Sequence, residues 1–249
     1  MFYRANQTSI IQTYHDDFRK YASKAKQRYL QKVFQTVPKL VTRKFKYSKI
    51  DNDIQSRDLK VALELLEKAG IVRRVLKTSG LGVPLNAYED ERHFKVIFLD
   101  VGLLQNLLGV TADIMQAKDV LKVNEGAIAE QFVGQELLAY QDPYQTPTLH
   151  YWVRESKSSS AEVDYLVSYE SRIFPIEVKA GKTGTLRSMH LFLSHYKIPV
   201  GFKVAQQPFT QNHSITTVPL YAMESLPWIA CTPFKPIPAR LPATSFNQF

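Results

Sequence analysis

Asp164 and the triplet Glu177-Val178-Lys179 are the side chains whose types and spacing best suit chemistry in this 249-residue sequence. Side chains of a strand alternate between its faces, so Glu177 and Lys179 share one side of any strand that carries them. Around them Ile173, Phe174, Ile176 and Val178 mark a strand that is otherwise apolar. An acid and a base set there are costly to bury unless they are paired, hydrated or bound to an ion. Asp164 stands in a second apolar run, EVDYLV (162–167), and a hairpin between the two runs brings it opposite Glu177. Two carboxylates at one sheet edge suit a hard divalent cation, Mg2+ or Mn2+. Such an ion lowers the pKa of its bound water, and a neighbouring lysine can position that water or hold a phosphate oxygen. Glu130 is a fourth candidate, because the helical period sets it on the same face as Ala127, Val133, Gly134 and Leu137. The competing readings are a purely structural Glu177–Lys179 ion pair and a Glu130 stabilised by the helix dipole.

These residues need a frame, and the sequence supplies one. Residues 124–205 read in the order α-β-β-β-α-β. Asn124 is the expected cap of a helix, EGAIAEQFVGQELLAY. The strands LHYWV, EVDYLV and IFPIEVK follow, then a helix from Thr185 to about Tyr196, then the strand PVGFKVA. The prolines from Pro227 onward suggest irregular or edge structure. Ahead of this block, residues 8–40 have helical periodicity, with Pro38 expected to end or kink the second helix. Ser56 is the expected N-cap of a helix with Leu59, Ala62, Leu63 and Leu66 on one face and Gly70 as its stop. Two strands, IVRRVL (71–76) and FKVIFLD (94–100), flank a Gly/Pro turn, and GLLQNLL forms a short helix. That order is the one found in a winged-helix unit, either a packing module or a DNA-contacting one. The expectation is an α/β (α+β) chain of two domains, 1–110 and 111–249, with residues 111–123 as linker.

Composition narrows the classes. With 45% hydrophobic and 22% charged residues, the chain can bury a core. No run approaches the roughly 20 apolar residues of a bilayer helix, so no membrane partner is expected. MFYRANQTSIIQ lacks the apolar stretch of a secretory signal, which makes the cytoplasm the expected compartment. A single cysteine, Cys231, excludes an internal disulfide framework, and the six histidines lack zinc-ligand spacing. The net charge is +9, and residues 1–50 alone hold 12 basic and 2 acidic side chains. An excess placed in this way suits either a nucleic-acid-facing surface, DNA above all, with residues 19–49 supplying most of the affinity, or an interface to another protein module.

Together, the Glu130 helix, the Asp164 strand and Glu177-Val178-Lys179 resemble the signature of the PD-(D/E)XK, or restriction-endonuclease-like, nuclease superfamily. The phrases YEDERHFKVIFLDVGLL (88–104), NEGAIAEQFVGQELL (124–138), EVDYLV and PIEVKAGKTGTLRSM (175–189) are more closely similar to the C-terminal region of prokaryotic AAA-type ATPases. There a winged helix precedes a nuclease-like domain of unknown function. The resemblance implies a restriction-endonuclease-like fold, with Asp164 and Glu177 as metal ligands, Lys179 as catalytic lysine and Glu130 as helix acid. It also implies phosphodiester hydrolysis with Mg2+ or Mn2+. Arg73 and Arg74 in the winged helix, and Arg187 and Lys182 after the Glu177 strand, are the candidate nucleic-acid contacts; for Arg187 a solvated helix face is the competing role. The family's ATPase module is not seen here. Gly181-Lys182-Thr183 lacks the earlier glycine of a phosphate-binding loop, Ile176 standing in its place, so ATP hydrolysis by this chain alone is not expected. The expected function is a metal-dependent nuclease. The alternative is an inactive nuclease-like module that binds and assembles with an AAA-type ATPase.

Overall fold

The computed structural model describes residues 2–21, 23–110, 126–155, 160–179 and 185–231. Within them the chain is mixed α/β, a helical N-terminal region followed by a sheet. Helices α1 (Phe2–Tyr21), α2 (Lys24–Leu40) and α3 (Ser56–Lys68) come first. Pro38 lies inside the last turn of α2 without ending it. α3 buries Leu59, Ala62, Leu63 and Leu66, as the period requires. Its cap is Gln55 rather than Ser56, which is already helical. Strands β1 (Val72–Thr78) and β2 (Glu89–Phe98) pair antiparallel. Helix α4 (Val101–Leu108) is capped by Asp100, whose carboxylate accepts the Leu103 N–H at 2.8 Å.

The second half holds α5 (Ala127–Ala139), β3 (Leu149–Glu155), β4 (Ser160–Tyr169), β5 (Arg172–Lys179), α6 (Arg187–Tyr196) and β6 (Gly201–Ala205). This is the expected α-β-β-β-α-β order. Beyond it lie β7 (Thr210–Asn212), β8 (Ile215–Pro219) and α7 (Leu226–Cys231). Residues 227–231 are therefore helical rather than irregular. The expected linker 111–123, the Asn124 cap and the tail from 232 lie outside the described residues.

One eight-stranded sheet runs through both halves, in the order β2-β1-β3-β4-β5-β6-β8-β7. β1 pairs parallel with β3, Val75 beside Leu149 and Lys77 beside Tyr151. The sheet thus crosses the sequence position at which two domains were expected to part. Alternation along β2 explains how one strand serves two cores. Phe94, Val96 and Phe98 pack with α1–α3, in a cluster that includes Val33, Phe34 and Leu63. Ile97 faces the other way, into a cluster with Val133, Tyr151, Tyr165 and Ile176. Lys95 shares that second face.

The turn between β1 and β2 folds back on the second half instead of projecting. Gly80 has φ +67°, and a Cβ there would meet Leu166 and Phe192 at 3.2 Å. The Tyr196 hydroxyl donates to the Ser79 carbonyl at 2.6 Å. No helix among the described residues is long and apolar enough to cross a membrane.

Candidate acid centre

A β-bulge aims Asp164. His150 pairs with Leu166 but Trp152 pairs with Val163, so Tyr151 on β3 faces two residues of β4, Asp164 and Tyr165. Tyr165 keeps its place under α5 by donating its hydroxyl to the Glu130 carbonyl at 2.8 Å. Only a glycine at 134 allows that approach, because a Cβ there would lie 2.5 Å from the Tyr165 hydroxyl oxygen. Between β4 and β5, pairing runs from Tyr169↔Arg172 to Tyr165↔Ile176. One step further, where Asp164 and Glu177 would come level, Asp164 Oδ2 instead accepts the Val178 N–H at 2.8 Å. A side chain takes over a strand–strand bond, and the acids gather where the ladder opens.

Lys179 Nζ donates to Glu177 Oε1 at 2.6 Å. Glu177 is 7% exposed, and its Oε2 is buried with no hydrogen-bond partner among the described residues. Asp164, Glu177, Lys179 and Glu130 therefore lie in one neighbourhood. At its centre is a residue the sequence reading passed over. Lys95, 2% exposed, holds its Nζ 2.9 Å from Glu130 Oε1, 2.5 Å from Glu162 Oε1 and 3.8 Å from Asp164 Oδ1. Its ammonium also lies 5.2 Å from the centroid of the Tyr151 ring.

The electrostatics follow from burial. Four carboxyl groups (Glu130, Glu162, Asp164, Glu177) share two ammonium groups (Lys95, Lys179), and the acids relieve that imbalance by holding protons. Burial, reinforced by Asp164 and Glu162 against the pull of Lys95, pushes the Glu130 carboxyl up to about 8. Burial and the Asp164 charge push Glu177 up to about 7, and burial raises Asp164. Burial alone would lower Lys95, but Glu130, Asp164 and Glu162 outweigh it and hold its pKa well above the usual value.

Lys95 and Glu162 carried readable signals. Lys95 interrupts the apolar run FKVIF just as Glu177 interrupts IFPIEVK, and Glu162 stands two residues before Asp164 on the same strand. Of the candidate nucleic-acid contacts, Arg74 is engaged within the chain. Its Nε donates to Glu67 Oε2 at 2.8 Å, and its guanidinium lies over the Phe94 ring. Arg73 is half-buried on β1, and Arg187 is exposed at the start of α6. Lys182 lies outside the described residues.

Mg2+ usually takes one or two carboxylates and completes its shell with water and phosphate oxygens. Asp164 and the unpartnered Glu177 Oε2 fit that donor set. No group of three or more acidic, histidine or cysteine side chains among the described residues has the arrangement of a complete protein-built metal cage.

The chain is similar to two families, neither with an assigned activity. A family model described as "Domain of unknown function (DUF8612)" matches residues 2–114, and one described as "Domain of unknown function (DUF4143)" matches residues 125–223. The break between the two matches falls near the expected boundary, although the sheet is continuous across it. No curated protein and no solved structure matches the chain.

Proposed function

We propose that this chain is a nuclease-like module of the PD-(D/E)XK type, preceded by a winged-helix-like segment, and that its acid centre hydrolyses nucleic-acid phosphodiesters with a divalent cation. The observation that carries the reading is the meeting of Asp164, Glu177 and Lys179 at the opening between β4 and β5, with one Glu177 oxygen left without a partner. Asp164 and Glu177 would hold Mg2+ or Mn2+. The ion supplies Lewis acidity and a bound water of lowered pKa. Lys179, already fixed on Glu177, presents its remaining ammonium protons to a water or a phosphate oxygen. Glu130 is turned onto Lys95 and acts by holding that lysine rather than by touching substrate. Arg28 and Lys39 lie on one exposed face of α2, either side of Lys32, which pairs with Asp51 at 3.0 Å, and would track a phosphate backbone, preferably that of DNA.

The test is cleavage of labelled DNA and RNA with Mg2+ and with Mn2+, comparing the wild type with Asp164→Ala and Lys179→Ala. Activity in the wild type and its loss in both variants supports the site. Three equally active or three equally inert proteins refute it.

A second reading has its own observation. Lys95 places an ammonium among three carboxylates, so much of the centre's charge is balanced without a metal. This favours a non-catalytic module that docks on an AAA-type ATPase, as the sequence resemblance also suggests. Absence of Mn2+ binding at millimolar concentration is its expected signature.

A further inference from the structure

Three carboxylate oxygens, from Glu130 on α5 and from Glu162 and Asp164 on β4, converge on a single point, and the tip of Lys95 occupies it. Glu130 and Glu162 are at hydrogen-bond distance, while Asp164 at 3.8 Å is within ion-pair reach but beyond a direct hydrogen bond. A lysine ammonium is a compact point charge, so it can stand where a small hydrated cation would otherwise be held. On the other side of Asp164, Glu177 Oε2 remains buried and unpartnered. The acid centre is thus divided. Lys95 satisfies one side; on the other, Lys179 holds Glu177 Oε1 and leaves Oε2 without a partner.

We infer that Lys95 is a built-in cation that fills one of two cation positions in the acid centre, leaving the Asp164/Glu177 position as the one an external divalent ion can enter. This deepens the nuclease reading, and rests on it only for the ion at Asp164 and Glu177. Two consequences follow from the covalent tether. The Lys95 position cannot exchange with solution metal, so bound ions should not exceed one per chain. The N-terminal half also becomes part of the centre, because the ammonium arrives on β2 while the carboxylates come from residues beyond 125.

The experiment counts Mn2+ bound per chain, by calorimetric titration and by electron paramagnetic resonance, in the full-length wild type, Lys95→Met and Lys95→Arg. Lys95→Met is expected to bind one more ion than the wild type, and Lys95→Arg, which keeps the charge, no more than the wild type. An unchanged count in Lys95→Met overturns the inference. The wild-type count reports separately on the proposed function. One ion supports it and none sinks it, while a gain from none to one in Lys95→Met still assigns Lys95 its role. If Lys95→Met is unfolded in EDTA, millimolar Mn2+ should restore its circular dichroism; a chain that stays unfolded with Mn2+ overturns the inference as well.

Discussion

Gln131 on α5 and Phe98 at the end of β2 exchange two hydrogen bonds of 2.7 Å, the side-chain amide donating to the Phe98 carbonyl and accepting the Phe98 N–H. The carboxamide does what another strand would do, and it is fully buried. Removing it orphans a buried donor and a buried acceptor together. Gln131→Ala is therefore expected to cost on the order of 2–4 kcal/mol, as read by urea denaturation. A loss below about 0.5 kcal/mol, the range of ordinary surface changes, would show that the bonds do not fasten α5 to the sheet.

The raised carboxyl groups fix the sign of a pH effect. Glu130 and Glu177 titrate near 8 and 7 in the fold and near their ordinary value of 4.5 when unfolded. The native state then binds more protons than the unfolded state between those limits. Stability contributed by these groups is fully present below about pH 4.5 and is lost as pH rises through 7 to 8. In EDTA the melting temperature should fall on the order of 5–10 °C between pH 5.5 and 8.5. Saturating Mn2+ should flatten that fall. A melting temperature that rises across the same interval in EDTA contradicts the charge balance described for the centre.

Gly134 is a packing position, so a residue with better helix propensity should still do harm. In a helix interior, Gly→Ala alone would gain about 1 kcal/mol. Here the new methyl group meets the Tyr165 hydroxyl oxygen at 2.5 Å and the Ile97 Cδ1 at 3.1 Å. Gly134→Ala is expected to destabilise, by roughly 1–3 kcal/mol. A double-mutant cycle with Tyr165→Phe, which deletes the clashing oxygen, should recover part of the loss. Strict additivity in that cycle would mean that the two residues do not meet.

Nucleic-acid affinity should follow the exposed cations of α2. Arg28→Glu with Lys39→Glu changes exposed positions, so folding should be retained while binding weakens at least tenfold and the salt slope becomes shallower. Truncation before Asp51 is a poor test, because it removes Val33, Phe34 and Val37, all fully buried. Arg74→Glu is expected to lower stability first, since it sets a new carboxylate against Glu67. If the α2 double variant binds with unchanged affinity and salt slope, the basic helices are not the binding surface.

Much of this chain was determined by local sequence. A period of 3.6 places Leu59, Ala62, Leu63 and Leu66 on one face of α3, and a period of two places Glu177 and Lys179 on one side of β5. The α-β-β-β-α-β order also lies in the local patterning. Asp164 could be brought near Glu177 because a short hairpin joins β4 and β5, and short connections leave few registers. Tertiary structure decided the rest. The parallel pairing of β1 with β3, the bulge opposite Tyr151 and the placing of β8 between β6 and β7 join segments whose registers no local period encodes. For the same reason Lys95 was legible as a charge in an apolar strand, yet not as the partner of Glu130, 35 residues away. Periodicity tells a side chain which face of its own element it occupies. Only the packing of β2, α5 and β4 around one point turns that face into the centre of three carboxylates.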